Sequence, residues 1–211
     1  MFEINDNLQV KRVYIQDRPA YLIDNVFKTP DLIVSHLNTE APIFKSYTNP
    51  SYNGVYFFDT RHTFKRRQSF EGIFNFLIKL TGHTPSPREI YSNCFFMIDH
   101  DFNSVEDCIW VPHKDIGYTA VIYLNDDNVT GTNIYSDNKV DYYSGTEHYL
   151  SWRPKEWYKI LYSAQAKFNR MFVFDGKRFF HGMAFSDRTY FTKKRIVLSI
   201  FLEPNYVNTN V

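Results

Sequence analysis

The chain has 211 residues, 24 basic and 23 acidic side chains and a formal net charge of +1, which argues against a broad nucleic-acid-binding surface or an acidic tail. Its 20 Phe and 16 Tyr require a large core in which many tyrosines bury the ring and keep the hydroxyl on a partner. Cys94 and Cys108 have neither zinc-site nor disulfide-framework spacing, the N-terminus MFEINDNLQV lacks signal-peptide character, and no apolar run approaches membrane-spanning length; a cytoplasmic protein is expected.

In chain order, LQVKRVYI and PAYLIDNVF read as short strands. TPDLIVSHLNTE has helix-start chemistry, with Thr29 as cap, Pro30 in the first helical position and Asp31 at the positive end of the dipole. The cluster RHTFKRRQ, residues 61–68, reads as a solvated face. QSFEGIFNFLIKLTG predicts a second helix, with Phe70, Ile73, Phe74, Leu77 and Leu80 on one face and Gly82 as its stop. HTPSPRE is a breaker. Beyond it IYSNCFFMID, CIWVPHKD, YTAVIYLN, TNIYS, NRMFVFDG, FFHGM and RIVLSIFL are short, aromatic or branched, and punctuated by Asp, Asn and Gly, as strands are. Residues 153–165 fit either a helix or an irregular crossing.

With no repeat or flexible linker, one domain is expected over 1–211: N-terminal helices and edge strands in 1–89 and a β core in 90–203. Two helices followed by seven or eight strands predict a mainly β sandwich or barrel, with the helices packed on one sheet.

The stretch IWVPHKDIGYTAVIYLND contains His113 and Asp115, two apart. Chance alone gives about half a His-x-Asp match in a chain of this composition, so the motif needs support from elsewhere. On a strand the two side chains share a face and could converge on one ion. His181, after an Asp-Gly turn, is the strongest third ligand, and two His with one carboxylate form the facial triad of non-haem Fe(II) oxygenases. In KKRIVLSIFLEP, Arg195, Val197, Ser199 and Phe201 share one strand face while Ile196, Leu198 and Ile200 share the other. An inward arginine needs an anion, which a bound dicarboxylate would supply. Ser199 and Tyr123 could add hydroxyls to it; Lys194 is the rival to Arg195, because the parity is inferred. His100 and His36 have no supporting frame, and His36 falls on a helix. The segment 136–158, with Tyr142, Tyr143, Trp152 and Trp157, could form a substrate groove or only a surface flap.

Taken in order, HKD, YLN, GTNIY, NRMFVFDGKRFFHGM and RIVLSIFL resemble the Fe(II)/2-oxoglutarate-dependent oxygenases, in particular the prolyl-4-hydroxylase-like group, over about residues 90–202. The separations, 181 − 113 = 68 and 195 − 181 = 14, suit that layout. The resemblance implies a double-stranded β-helix, a jelly-roll-like, cupin-type barrel, with His113, Asp115 and His181 on iron. It implies Arg195 on the distal carboxylate of 2-oxoglutarate, with help from Tyr123 and Ser199. Oxygen and 2-oxoglutarate would be consumed, succinate and CO2 formed, and a C–H bond of a prolyl residue or small molecule hydroxylated. Phe201 stands where the nucleic-acid demethylating branch has a second arginine, so a nucleic-acid substrate is disfavoured. Asp115 is present where the halogenating branch has a small residue, which favours hydroxylation. A binding or scaffold protein on the same fold and a cupin-like metalloprotein without 2-oxoglutarate are the alternatives. The first would have little reason to keep triad and arginine together, and the second leaves Arg195 unexplained.

Overall fold

The structure, a computed structural model, describes residues 2–40, 55–59, 70–97, 108–110, 112–125, 131–137, 152–184 and 195–203. The basic cluster 61–68, His100, Tyr142, Tyr143, Lys194 and most of the segment 136–158 lie outside the described residues.

Twelve strands and two helices are present among the described residues, and every strand pairing is antiparallel. The strands are β1 (Gln9–Ile15), β2 (Arg18–Asp24), β3 (Val55–Asp59), β4 (Thr84–Met97), β5 (Cys108–Trp110), β6 (Tyr118–Tyr123), β7 (Gly131–Asp137), β8 (Trp152–Pro154), β9 (Tyr158–Gln165), β10 (Arg170–Asp175), β11 (Phe180–Ala184) and β12 (Arg195–Glu203). Helix α1 spans Pro30–Glu40 and α2 spans Glu71–Thr81. A seven-stranded sheet has the order β1-β2-β10-β6-β12-β4-β3, a three-stranded sheet runs β11-β7-β9, and β5 pairs with β8.

The expected mainly β architecture with two helices is therefore present, and among the described residues the sheets form no closed barrel. Strand alternation divides the core in two. Ile23, Ala120, Ile122, Met171, Val173, Ile196, Leu198 and Ile200 face one way and pack with Ile33 of α1 and Phe70, Ile73, Phe74 and Leu77 of α2. At about 2 kcal/mol for each fully buried large apolar side chain, these four residues at and in α2 hold the helix on the sheet more strongly than its own propensity does. Gly82, at φ 72°, ends α2 as anticipated, its N–H donating to Ile78 O at 2.8 Å. The opposite face turns Ala20, Val121, Tyr123, Phe172, Phe174 and Val197 toward Ile134 and Ala164 of the smaller sheet.

Two segments depart from expectation. The breaker HTPSPRE is largely strand, because β4 begins at Thr84 and runs through both prolines. β3 pairs only with residues 93–97 of β4, so at its prolines β4 has a single neighbour, β12, among the described residues. A proline lacks the N–H that a second neighbour would demand, and is tolerated there. Residues 153–165, open between helix and irregular crossing, run as the end of β8, a 3-10 turn at Lys155–Trp157 and β9, whose register with β7 shifts between Ile134 and Tyr135.

Candidate metal centre

Three elements bring the candidate ligands together. His113 belongs to no extended strand and makes a single antiparallel bridge to His181, the first bridged residue beyond Phe180 in β11. The bridge is double: His113 N donates to His181 O at 3.0 Å and His181 N to His113 O at 2.9 Å. Asp115 is anchored by its N–H on Gly176 O at 2.9 Å, in the turn that joins β10 to β11. That turn is set by Asp175, whose carboxylate accepts from Arg178 N at 3.0 Å. Residues 68 positions apart are thus fixed on one another by backbone before any side chain is considered.

The ligand atoms of His113, Asp115 and His181 all lie within 4.8 Å of one another. His181 Nε2 is 3.0 Å from Asp115 Oδ2, His113 Nε2 is 3.9 Å from Asp115 Oδ1, and the two imidazole centroids are 4.4 Å apart. Donors on adjacent octahedral positions of an ion with bonds near 2.1 Å stand roughly 3 Å apart, so these atoms need little contraction to share one ion. The donor set, two imidazoles and a carboxylate, suits a transition metal.

Two of the three ligands are oriented from behind. His181 Nδ1 lies 3.2 Å from Phe179 O; a carbonyl only accepts, so Nδ1 carries the hydrogen and Nε2, facing Asp115, becomes the ligand atom. Phe174 meets the same imidazole edge-on with centroids 4.7 Å apart. The Thr119 hydroxyl donates to Asp115 Oδ2. Burial pushes the Asp115 carboxyl up, but the neighbouring His181 and His113 imidazoles and the Thr119 hydroxyl together hold it below the ordinary carboxylate range. Side-chain exposure falls from 40 % at His113 to 12 % at Asp115 and 5 % at His181, so the centre opens toward solvent on the His113 side.

The other candidates lie on the inner face of the large sheet. In β6 and β12, Tyr123 stands opposite Val197, Val121 opposite Ser199 and Thr119 opposite Phe201. Arg195 therefore shares its face with Val197 and Ser199, as anticipated, while Ile196, Leu198 and Ile200 face the helices. Arg195, Val121 and Ser199 each keep 8 % exposure, whereas Ala120, Ile122, Leu198 and Ile200 on the helix side have none.

Arg195 Nη2 reaches Gly131 O, 3.5 Å away at the start of β7. Gly131 is three residues from Ile134, the partner of His181 across β7 and β11, which places the guanidinium about 10 Å along the strand from the metal centre. Tyr123 donates its hydroxyl to Thr132 Oγ1 at 2.8 Å, and its pKa is pushed up to about 12 by burial, against the Thr132 hydrogen bond and the charge of Arg195.

Sequence reasoning did not single out Thr119, Gly176, Phe179 or Thr132. Thr119 follows Asp115 by four residues, but the chain bends at 116–117 before β6 begins, so no simple period connects them. Gly176 and Thr132 meet the site only through pairing between distant strands.

No family model matches the chain, and no curated protein matches it. Among solved structures, a crystal structure from Shewanella oneidensis named as a "putative oxygenase" is 14 % identical, with 96 % of this chain and 69 % of that one covered and a TM-score of 0.33. A superposition that loose carries no argument about activity. The site's own side chains must carry it.

Proposed function

We propose that the protein is an Fe(II)/2-oxoglutarate-dependent oxygenase that hydroxylates a C–H bond. The observation that carries this reading is the pairing of a two-His, one-carboxylate cluster with a buried arginine about 10 Å away on the inner sheet face. An extended five-carbon dicarboxylate spans about 5 Å between its end carbons; a metal bond and a hydrogen bond at its two ends bring the total to about 10 Å.

In this reading His113, Asp115 and His181 hold iron, which when bound supplies the oxidation of 2-oxoglutarate to succinate and CO2 and of the substrate by O2. Arg195 clamps the distal carboxylate through its planar fork. The Tyr123–Thr132 hydroxyl pair and Ser199 line the same end, and Val121 and Phe174 help keep the space between dry. Burial keeps the Tyr123 phenol protonated at neutral pH, so it remains a donor. The substrate, a prolyl peptide or a small molecule rather than a nucleic acid, approaches from the open His113 side. No helix among the described residues is long and apolar enough to cross a membrane, and a cytoplasmic setting belongs to the proposal.

The test is an anaerobic titration with Fe(II) and then 2-oxoglutarate, reading the visible charge-transfer band of a keto acid chelated to ferrous iron, followed by oxygen and succinate analysis. A band in wild type that is lost in His113→Ala is the expected result. A folded wild-type protein that gives no band refutes the reading and makes a scaffold or other-metal role the one to pursue.

A further inference from the structure

The backbone that carries the candidate ligands also carries three exposed cations. Lys114 stands between His113 and Asp115, and Lys177 and Arg178 follow Gly176 in the turn that holds Asp115. Lys177 N donates to Gly117 O at 2.9 Å, so this turn and the segment 113–117 run side by side, about 5 Å apart. All three side chains are exposed, and none forms an ion pair with a described residue. We propose that Lys114, Lys177 and Arg178 form an anion-recognising rim, and that the substrate is an acidic peptide segment whose carboxylates flank the C–H bond that reacts. This names the substrate class of the oxygenase reading above and rests on it.

Charge and placement both point this way. Exposed cations are ordinarily just solvated, but the Lys114 ammonium is held 4.5 Å from the centroid of Phe180, a buried ring next to His181 in sequence. Its position is therefore fixed relative to the metal centre. The acids nearby are committed or recessed. Asp115 faces the ion, Asp175 is half-buried and accepts from Arg178 N at 3.0 Å, and Glu203 of β12, also half-buried, lies against Gly117. With a divalent ion in place, the rim carries an excess of positive charge, which steers and holds anions. Alternation along the bridged segments turns Lys114 and Phe180 to the side opposite His113 and His181, away from the face that Arg195 shares. The rim thus addresses groups that flank the reacting carbon, outside the space assigned to 2-oxoglutarate. Cations on two chain segments match several separated carboxylates, as an acidic peptide presents them. Ile116, 56 % exposed and two residues from Lys114, adds an apolar contact that a peptide side chain can use and a run of phosphates cannot.

The test uses the full chain and a fluorescein-labelled peptide with Glu residues on both sides of a central fluoroproline, read by anisotropy at low salt. The same peptide with Gln for Glu should bind at least about 10-fold more weakly, and the acidic peptide should lose affinity as salt is added. Lys114→Gln, Lys177→Gln and Arg178→Gln should each weaken acidic-peptide binding about 2- to 5-fold, the size of one exposed ion pair, and together at least about 10-fold. Lys11→Gln and Lys79→Gln, exposed on β1 and α2, should leave it within about twofold. Manganese-loaded protein should broaden the fluorine signal of the bound peptide far more than zinc-loaded protein does, because the proline then lies beside the paramagnetic ion. The ferrous 2-oxoglutarate band, recorded on wild type and on the triple variant, reports whether the metal site is intact. With that band present, equal affinity for the Glu and Gln peptides, no response to the three substitutions, or no manganese broadening overturns this inference alone. An oligothymidine that binds more tightly through the same three residues overturns the acidic peptide in favour of a phosphate-bearing partner. A folded wild type without the band overturns the oxygenase reading, and this inference with it.

Discussion

Replacing Arg195 by Met isolates the proposed co-substrate clamp. Arg195 is buried on the inner face of β12, and its guanidinium stands about 10 Å from the metal rung, so the substitution leaves all three ligands and their backbone bridge untouched. A hydrogen bond between charged groups contributes about 1.5–3 kcal/mol net. Taking 2–3 kcal/mol for a buried bidentate pair, 2-oxoglutarate affinity should fall about 30- to 150-fold. Arg195→Lys, which keeps the charge and loses the fork, should fall less, about 10-fold. The assay is the anaerobic titration of iron-loaded protein with 2-oxoglutarate, with iron affinity measured separately and expected to stay within about twofold of wild type, given that separation. An Arg195→Met protein with wild-type 2-oxoglutarate affinity refutes the clamp; one that also loses iron shows that the two sites are not independent.

Asp24 accepts from Arg170 at 2.5 and 3.0 Å and from Lys167 at 3.2 Å. The Arg170 hydrogen bond, opposed by burial and assisted by Lys167, holds its carboxyl below the usual range. Asp24→Asn should therefore lower urea stability by about 1 kcal/mol at pH 7, discounted for partial solvent screening. Because the folded pKa is depressed, this contribution is present above the unfolded value of about 4, and the gap between the proteins should close as pH falls below it; a gap that persists at pH 2 contradicts the assignment. For Tyr123, the folded pKa of about 12 lies above the unfolded phenol's value, so its contribution is intact below about pH 10 and lost as pH rises toward 12. Ultraviolet titration of wild type against Tyr123→Phe should show one fewer phenol ionising, with the missing amplitude above pH 11; amplitude missing near pH 10 instead would mean that the ring is not buried. Gly131→Ala places a Cβ against the Ala164 carbonyl and 3.0 Å from Ala166 N, both rigid backbone of the neighbouring strand segment. It should cost about 1–3 kcal/mol by opening β7 from β9, and a thermal melt at the wild-type midpoint would show that the pair relaxes freely.

Local chemistry was legible wherever one face of an element is uniformly apolar. The α2 face, its Gly82 stop and the split of β12 into Ile196, Leu198 and Ile200 against Arg195, Val197 and Ser199 follow from periods of 3.6 and 2, because burying one face is what those elements do. His113, Asp115 and His181 were nameable from residue type and spacing, since few side chains can serve a metal. Their convergence, however, is a property of the tertiary structure: a backbone bridge joins His113 to His181, and the β10–β11 turn holds Asp115 through Gly176. The placement of β10 between β2 and β6, the strand run through Pro85 and Pro87, the Thr119 bond to Asp115 and the close approach of Thr119 and Asp115 to Gly176 depend on which strands became neighbours. Period and composition state which face of a strand is buried. They carry no record of what lies across the gap, because that pairing is decided by competition among all strands for the same core.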